Sequence, residues 1–253
     1  MSETIQESLE YHLKKLRLST IRSHYPEFTE IAIEQQQRYD KYLLALMEKE
    51  CEVRAQNRIA RQLHNSRLPL EKVLETFDLK RLNATLRQHV NILLEGGFIG
   101  RRENVLAFGN PGSGKTHLLC AIGHHLIHQG HSIYFTTCSL LVQELLRAKR
   151  DLKLDKVLKR LLSFEAIIID DIGYVEQNRQ EMEVLFTLLA QRYERGSVML
   201  TSNLPFSKWE NIFKDPMTTA AAIDRLVHHS VILELNLPSY RMEQAKSKQS
   251  AQN

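Results

Sequence analysis

The residues with the clearest chemistry are Gly109-Asn110-Pro111-Gly112-Ser113-Gly114-Lys115-Thr116. They fit G-x-x-x-x-G-K-[ST] at every fixed position. Glycines let backbone approach a phosphate where a Cβ would collide. The loop amides then form a nest for an anion. Lys115 is spaced to reach the β- and γ-phosphates of a nucleotide triphosphate, and Thr116 to hold Mg²⁺ through its hydroxyl. A second acidic motif follows, Ala166-Ile167-Ile168-Ile169-Asp170-Asp171. Its apolar run reads as a strand buried on both faces, as in a parallel sheet. Its carboxylates fall at the C-terminal end, where open α/β sheets bind ligands. Asp170 is expected to hold Mg²⁺ through a water, and Asp171 to orient or deprotonate the attacking water. A third polar group, Asn203, ends the strand-like run Ser197-Val198-Met199-Leu200-Thr201-Ser202-Asn203. Its amide either positions a water against the γ-phosphate or starts the turn before Pro205.

The elements needed to hold these groups are legible. Asn104 to Phe108 reads as a strand, and His117 to Gln129 as a helix with Leu118, Leu119, Ile122 and Leu126 at helical spacing. This order sets the phosphates at a helix N-terminus, where the dipole favours negative charge. Ser132–Thr137 is a second strand. Ser139 is a candidate N-cap for a helix, and the helical signal runs on to Leu162, long enough for two helices between strands. Gln180–Tyr193 forms another helix, with Arg192 and Arg195 expected as C-terminal caps. Thr219–His228 and Val231–Leu235 supply a last helix and strand. Upstream, Leu9, Leu13, Leu16 and Leu18 form an apolar stripe that Pro26 is expected to interrupt. Tyr39–Leu63 is a long helix, Leu70–Leu82 a linker with Thr76-Phe77-Asp78, and Leu86–Leu94 a helix ended by Gly96-Gly97. The expected division is a helical domain over 1–68, a nucleotide-binding domain over 69–241 and a polar tail over 242–253.

Across 253 residues, the 43% hydrophobic and 25% charged fractions indicate a globular, soluble chain. No apolar run is long enough to span a membrane and Met1-Ser2-Glu3-Thr4 lacks a signal-peptide core, so the expected location is cytoplasmic. Cys51, Cys120 and Cys138 are too few and scattered for a disulfide framework and are expected to be buried or half-buried. His124, His125, His128 and His131 lack the glutamate of a zinc-helix motif and read as surface and helix-end residues.

Net charge is only +4, but it is local. Arg54, Arg58, Arg61 and Arg67 fall in a stretch without acids. Arg54, Arg58 and Arg61 share a helical face, which is either a solvated face paired with Glu50 and Glu52 or a stripe for DNA phosphates. Arg147, Lys149, Arg150, Lys153, Lys156, Lys159 and Arg160 oppose only Asp151 and Asp155. That imbalance favours phosphate binding over a merely exposed surface.

The motif order from about residue 54 to 241 resembles the IstB-like ATP-binding proteins of insertion sequences, transposition helper ATPases of the AAA+ class related to DnaC-type helicase loaders. The resemblance rests on Gly109–Leu118, Ile168-Ile169-Asp170-Asp171-Ile172-Gly173-Tyr174, Arg192–Ser197, Thr201–Phe206 with Trp209, Ala222–His229, Ser239-Tyr240-Arg241 and Thr76-Phe77-Asp78. It implies a P-loop AAA+ three-layer αβα domain with a parallel sheet, preceded by a small all-α domain. It implies a homo-oligomer assembled with ATP and double-stranded DNA, in which Arg225 reaches the neighbour's γ-phosphate. It also implies a cognate transposase as partner and a nucleic-acid-lining role for the helices from Ser139 to Leu162, with Lys149, Arg150, Lys153 and Lys156. Where the family has glutamate this chain has Asp171, one methylene shorter, so slow or DNA-stimulated hydrolysis is expected. Leu237-Pro238 replaces the family's Gly-Glu before Ser239, which bears on Arg241. The alternatives are a DnaC-like helicase loader, a small-molecule kinase and a DNA-binding module that binds ATP without hydrolysing it.

Overall fold

Four runs of apolar, β-rich sequence and a fifth after the last helix assemble into one parallel sheet in the computed structural model, which describes residues 2–173, 179–209 and 216–240. Tyr174, Arg241 and the tail 242–253 lie outside the described residues. The chain divides into two compact units, Met1–Arg61 and Gln62–Asn253.

The first unit holds α1 (Ser2–Lys15), α2 (Ser19–Glu34) and most of α3 (Tyr39–Ser66). Its core is Leu13, Ile21 and Leu46, with Leu18, Tyr25, Phe28 and Tyr42 against them. The apolar stripe breaks at Arg17, not at Pro26. Arg17 takes a left-handed φ of 58° and Leu18 N–H donates to Leu13 O at 2.9 Å, which ends α1. Pro26 lies inside α2, where it forfeits one backbone hydrogen bond without ending the helix. Leu18 gives α2 no side-chain cap. Glu50 of α3 does that work from a distance. Its buried carboxylate accepts from Thr20 N–H and Ile21 N–H, both at 3.0 Å.

In the second unit, Leu74–Thr76 and Leu79–Arg81 are single 3₁₀ turns ahead of α4 (Ala84–Leu94) and the short α5 (Gly97–Gly100). Then come β1 (Asn104–Gly109), α6 (Lys115–His128), β2 (Ile133–Thr137), α7 (Cys138–Arg150), α8 (Leu154–Leu162) and β3 (Ala166–Ile172). The unit is completed by α9 (Arg179–Arg192), β4 (Ser197–Ser202), α10 (Pro216–Val227) and β5 (Ser230–Leu235). The strand order is β2-β3-β4-β1-β5 and every pairing is parallel. Alternation along β3 explains why its run is wholly apolar. Ile167 and Ile169 join the core formed with α7, α8 and α9. Ile168 faces α6, close to Gly123. Helices thus cover both faces of the sheet, the three-layer architecture expected.

Several local expectations are corrected. The cap of α7 is Thr137, whose hydroxyl accepts from Leu140 N–H, not Ser139. Arg192 does not cap the solvent end of its own helix. It is buried and donates to the carbonyls of Leu161, Phe164, Glu165 and Ser197 at 2.9–3.1 Å. Burial alone pushes its pKa down to about 10. His124 is not a surface residue; it is buried, with Nε2 3.0 Å from Pro69 O. Cys51 is exposed, whereas Cys120 and Cys138 are buried. Burial pushes the Cys120 thiol up to about 12, which makes it unreactive.

Candidate functional site

β1 delivers the phosphate loop at its C-terminal end and α6 receives it, beginning at Lys115. Gly112 has φ 81° and its missing Cβ leaves room for the Ser239 side chain. Lys115 is buried, and its Nζ donates to Gly109 O at 2.9 Å and Asn110 O at 3.0 Å. The ammonium therefore holds the loop in a ring and lies where a phosphate oxygen could compete with those two carbonyls. The Ser113 hydroxyl is buried with no hydrogen-bond partner among the described residues. A polar group in that condition is costly, and an anion in the loop would relieve it. The cradle and its orphaned donor thus fit a phosphate.

Asp170 and Asp171 differ sharply although adjacent. The β3–β4 register shifts between Ile169 and Ile172, and Asp171 has φ 59°. Such an irregularity re-aims side chains. Asp170 is 6% exposed, whereas Asp171 is exposed. The Asp170 carboxylate accepts from the Thr116 hydroxyl at 2.7 Å and the Thr201 hydroxyl at 2.6 Å. Thr201 Oγ1 accepts in turn from Asp171 N–H at 2.8 Å. Thr201 is therefore the joint between β4 and both acids. Its signal in sequence was only its place two residues before Asn203. A hydroxyl and a carboxylate in contact, on oxygen donors alone, are the kind of set that Mg²⁺ takes.

Asn203 is half-buried and follows the last residue of β4. Because Ser202 pairs with Phe108 of β1, Asn203 sits beside the start of the phosphate loop. Lys115, Thr116, Asp170, Asp171 and Asn203 are thus gathered at one end of the sheet.

Arg225 is not among them. It lies in the last turn of α10 and its backbone carbonyl faces the Asn104 amide, at the start of β1. β1 runs the six residues from Asn104 to Gly109, so about 17 Å of strand separates Arg225 from its own loop. Its guanidinium stacks 4.7 Å from the Phe186 ring centroid, and its buried Nη1 has no hydrogen-bond partner among the described residues. It lines a cavity of about 290 Å³ with Arg101, Arg102, Arg192, Glu194 and His229.

The linker adds contacts that sequence reading did not anticipate. Phe77 packs on Gly114 and meets the His117 ring edge-on at 5.3 Å. His117 Nε2 is 3.0 Å from Thr76 Oγ1 and 3.2 Å from Val73 O. Burial is the main cause holding the His117 pKa below its ordinary value.

A family model described as the IstB-like ATP-binding protein matches residues 11–249. The chain belongs to that family. It is 41% identical over 234 residues to a protein of Sinorhizobium fredii named as an insertion sequence ATP-binding protein, covering 92% of this chain and 78% of the relative. It is 35% identical over 238 residues to a similarly named protein of insertion sequence IS21 in Pseudomonas aeruginosa, covering 94% and 90%. Among solved structures, the DnaC helicase loader superposes with a TM-score of 0.57 at 17% identity, covering 65% of this chain and 97% of that one. AMPPCP-bound DnaA from Aquifex aeolicus gives 0.57 at 19%, covering 72% of this chain and 56% of that one. These likenesses show the fold, a three-layer αβα domain around a parallel sheet.

In this IstB-like chain the basic residues divide by their partners. Arg54 Nε pairs with Glu50 at 2.7 Å and its Nη2 reaches Arg17 O, so it braces the α1–α2 turn. Arg58 and Arg61 are exposed. Lys149 pairs with Glu183 at 3.0 Å, while Arg150, Lys153 and Lys156 are exposed around the α7–α8 turn. There Leu152 takes φ 55° and Lys153 N–H donates to Ala148 O, which folds the basic stretch into two helices.

Proposed function

We propose that this IstB-like chain is an ATPase that assembles on double-stranded DNA and, in that form, recruits or activates the transposase of its insertion sequence. The observation that carries the reading is the separation of Arg225 from its own phosphate loop. A cation whose buried nitrogen has no partner among the described residues faces a cavity at one end of the sheet, while the loop and acids occupy the other. Each half is what the other lacks, and a second copy would join them.

In such a joint, the loop amides and Lys115 bind the triphosphate of ATP. Thr116 and Asp170 would hold Mg²⁺, which neutralises charge on the β- and γ-phosphates when bound. Asp171 and Asn203 orient a water for attack on the γ-phosphorus. The water oxygen bonds to phosphorus as the bond to the β–γ bridging oxygen breaks. Asp171 accepts the water's proton, and ADP and phosphate are the products. Arg225 of the adjoining copy stabilises the charge that develops in transfer. The shorter Asp171 side chain makes slow turnover, raised by DNA, the expected behaviour. Arg150, Lys153 and Lys156, together with Lys149, supply the phosphate-facing surface in the ATPase domain over 69–241. The helical domain over 1–68, with Arg54, Arg58 and Arg61, meets DNA or the partner protein. The names of the insertion-sequence relatives support the transposition setting.

Mixing two inactive variants tests the joint. Lys115→Ala removes the loop cation and Arg225→Ala the finger, and each alone is expected to lose DNA-stimulated hydrolysis. An equimolar mixture restores competent joints wherever the first variant lends Arg225 to the second. With random heterologous contacts that is about a quarter of them. Arg225→Ala protein that hydrolyses ATP at the wild-type rate, or a mixed assembly with no recovery, would falsify the shared site.

A further inference from the structure

After β5 the chain turns back across its own phosphate loop. The Tyr240 N–H donates to Gly112 O at 3.0 Å. Ser239 occupies the space beside Gly112 that a Cβ would fill, and Leu235 O does the same at Gly109. The linker grips this strap from the other side. Arg81 Nη2 donates to Pro238 O at 2.9 Å, and its guanidinium lies 5.1 Å from the Tyr240 ring centroid. Below them Phe77 packs on Gly114. Thr76, Phe77, Asp78, Arg81, His117 and Tyr240 enclose a space of only about 30 Å³ that opens on the loop. With the Tyr240 ring in place, that leaves room for water but not for a purine.

The chemistry of the lining is nevertheless that of a base site. It offers an aromatic ring in Phe77, a planar cation in Arg81 and a carboxylate in Asp78, one oxygen of which accepts from Lys80 N–H. Guanidinium and aromatic faces stack on bases as they stack on each other. What fills the place now is an aromatic ring of the chain itself. We propose that Tyr240 is a built-in stand-in for the nucleobase. Its ring holds the position beneath Arg81 that the base of a bound nucleotide takes, and base entry releases residues 237–240 from the phosphate loop. The strap is then a latch that distinguishes a nucleotide from bare phosphate. A triphosphate alone can fill the loop without touching the Arg81–Tyr240 stack. This rests on the reading that residues 109–116 bind ATP.

The test uses the full chain with ATP, ADP and inorganic triphosphate. Removing the competing ring in Tyr240→Ala tightens ATP and ADP by about 2–5-fold, the worth of an exposed cation–aromatic contact, and leaves triphosphate affinity unchanged. Tyr240→Phe keeps the ring and matches the wild type. In the wild-type chain, hydrogen exchange at the Tyr240 amide speeds up on saturation with ADP but not with triphosphate. The latch is overturned if Tyr240→Ala weakens ADP, which would make the ring a platform under the base. It is also overturned if triphosphate tightens equally, or if the amide stays protected with ADP bound. Failure of the wild-type chain to bind ATP at all would instead remove the phosphate-loop reading on which the latch stands.

Discussion

Replacing Thr201 by valine keeps shape and volume while deleting one oxygen. That oxygen donates to the buried Asp170 carboxylate at 2.6 Å and accepts from Asp171 N–H at 2.8 Å. A hydrogen bond to a charged group contributes about 1.5–3 kcal/mol, and an amide left without its partner adds about 1 kcal/mol. Asp170 keeps the Thr116 hydroxyl, so the carboxylate is not stripped bare. The expected cost is therefore about 2–4 kcal/mol. With a urea dependence of about 3 kcal/mol per molar, the unfolding midpoint falls by about 1 M. Thr201→Ser supplies the control, because it keeps the hydroxyl and loses only a methyl at a fully buried site, at about 1 kcal/mol. Hydrolysis should follow the same order, since Asp171 is aimed through its amide. If valine proves as stable as wild type while serine is worse, the methyl packs and the hydroxyl network does not hold the acids.

Two further outcomes follow from charged groups in each unit. Neutralising Lys149, Arg150, Lys153 and Lys156 together lowers DNA affinity and flattens its dependence on log salt by about 0.9 for each phosphate no longer neutralised. Lys149 contributes least because Glu183 already engages it, and an unchanged slope rules that surface out. For Glu50, burial pushes the carboxyl up, but the Ile21 amide, Arg54 and the Thr20 amide outweigh it, so its pKa lies below the ordinary 4.5. The stabilisation of the α2 end is therefore complete above 4.5 and is lost as pH falls through the lowered value. Helix melting followed by circular dichroism between pH 7 and 3 should show that loss. Glu50→Gln should be less stable at neutral pH and less sensitive to acid, and identical acid profiles would refute the cap.

How much of this was legible in the sequence depends on how local the cause is. The phosphate loop announces itself because its chemistry is confined to eight consecutive residues. Ala166–Asp171 is nearly as clear, since an all-apolar run requires cover on both faces. Thr201 was not legible as a partner of Asp170. The two meet only because β4 lies beside β3, which is a property of strand order. Glu50 and Arg192 escaped for the same reason, as each satisfies backbone groups 27–31 residues away. Pro26 was misleading because a proline forbids only one hydrogen bond, and the stronger stop was the left-handed turn at Arg17. The finger assignment for Arg225 came from resemblance, and only the fold reveals that it stands at the far end of the sheet from its own loop.

Arg192 has a mechanical consequence. One rigid guanidinium clamps the Leu161 carbonyl of α8 and the Phe164 and Glu165 carbonyls that follow it to the first residue of β4, and the same side chain lines a cavity with Arg225. A force applied to the basic helices cannot be absorbed at a soft hinge there, because four bonds would have to lengthen together in a closely packed interior. The clamp ties α8 and the start of β4 to the wall of the Arg225 cavity, so these three parts of the unit are held to move as one piece.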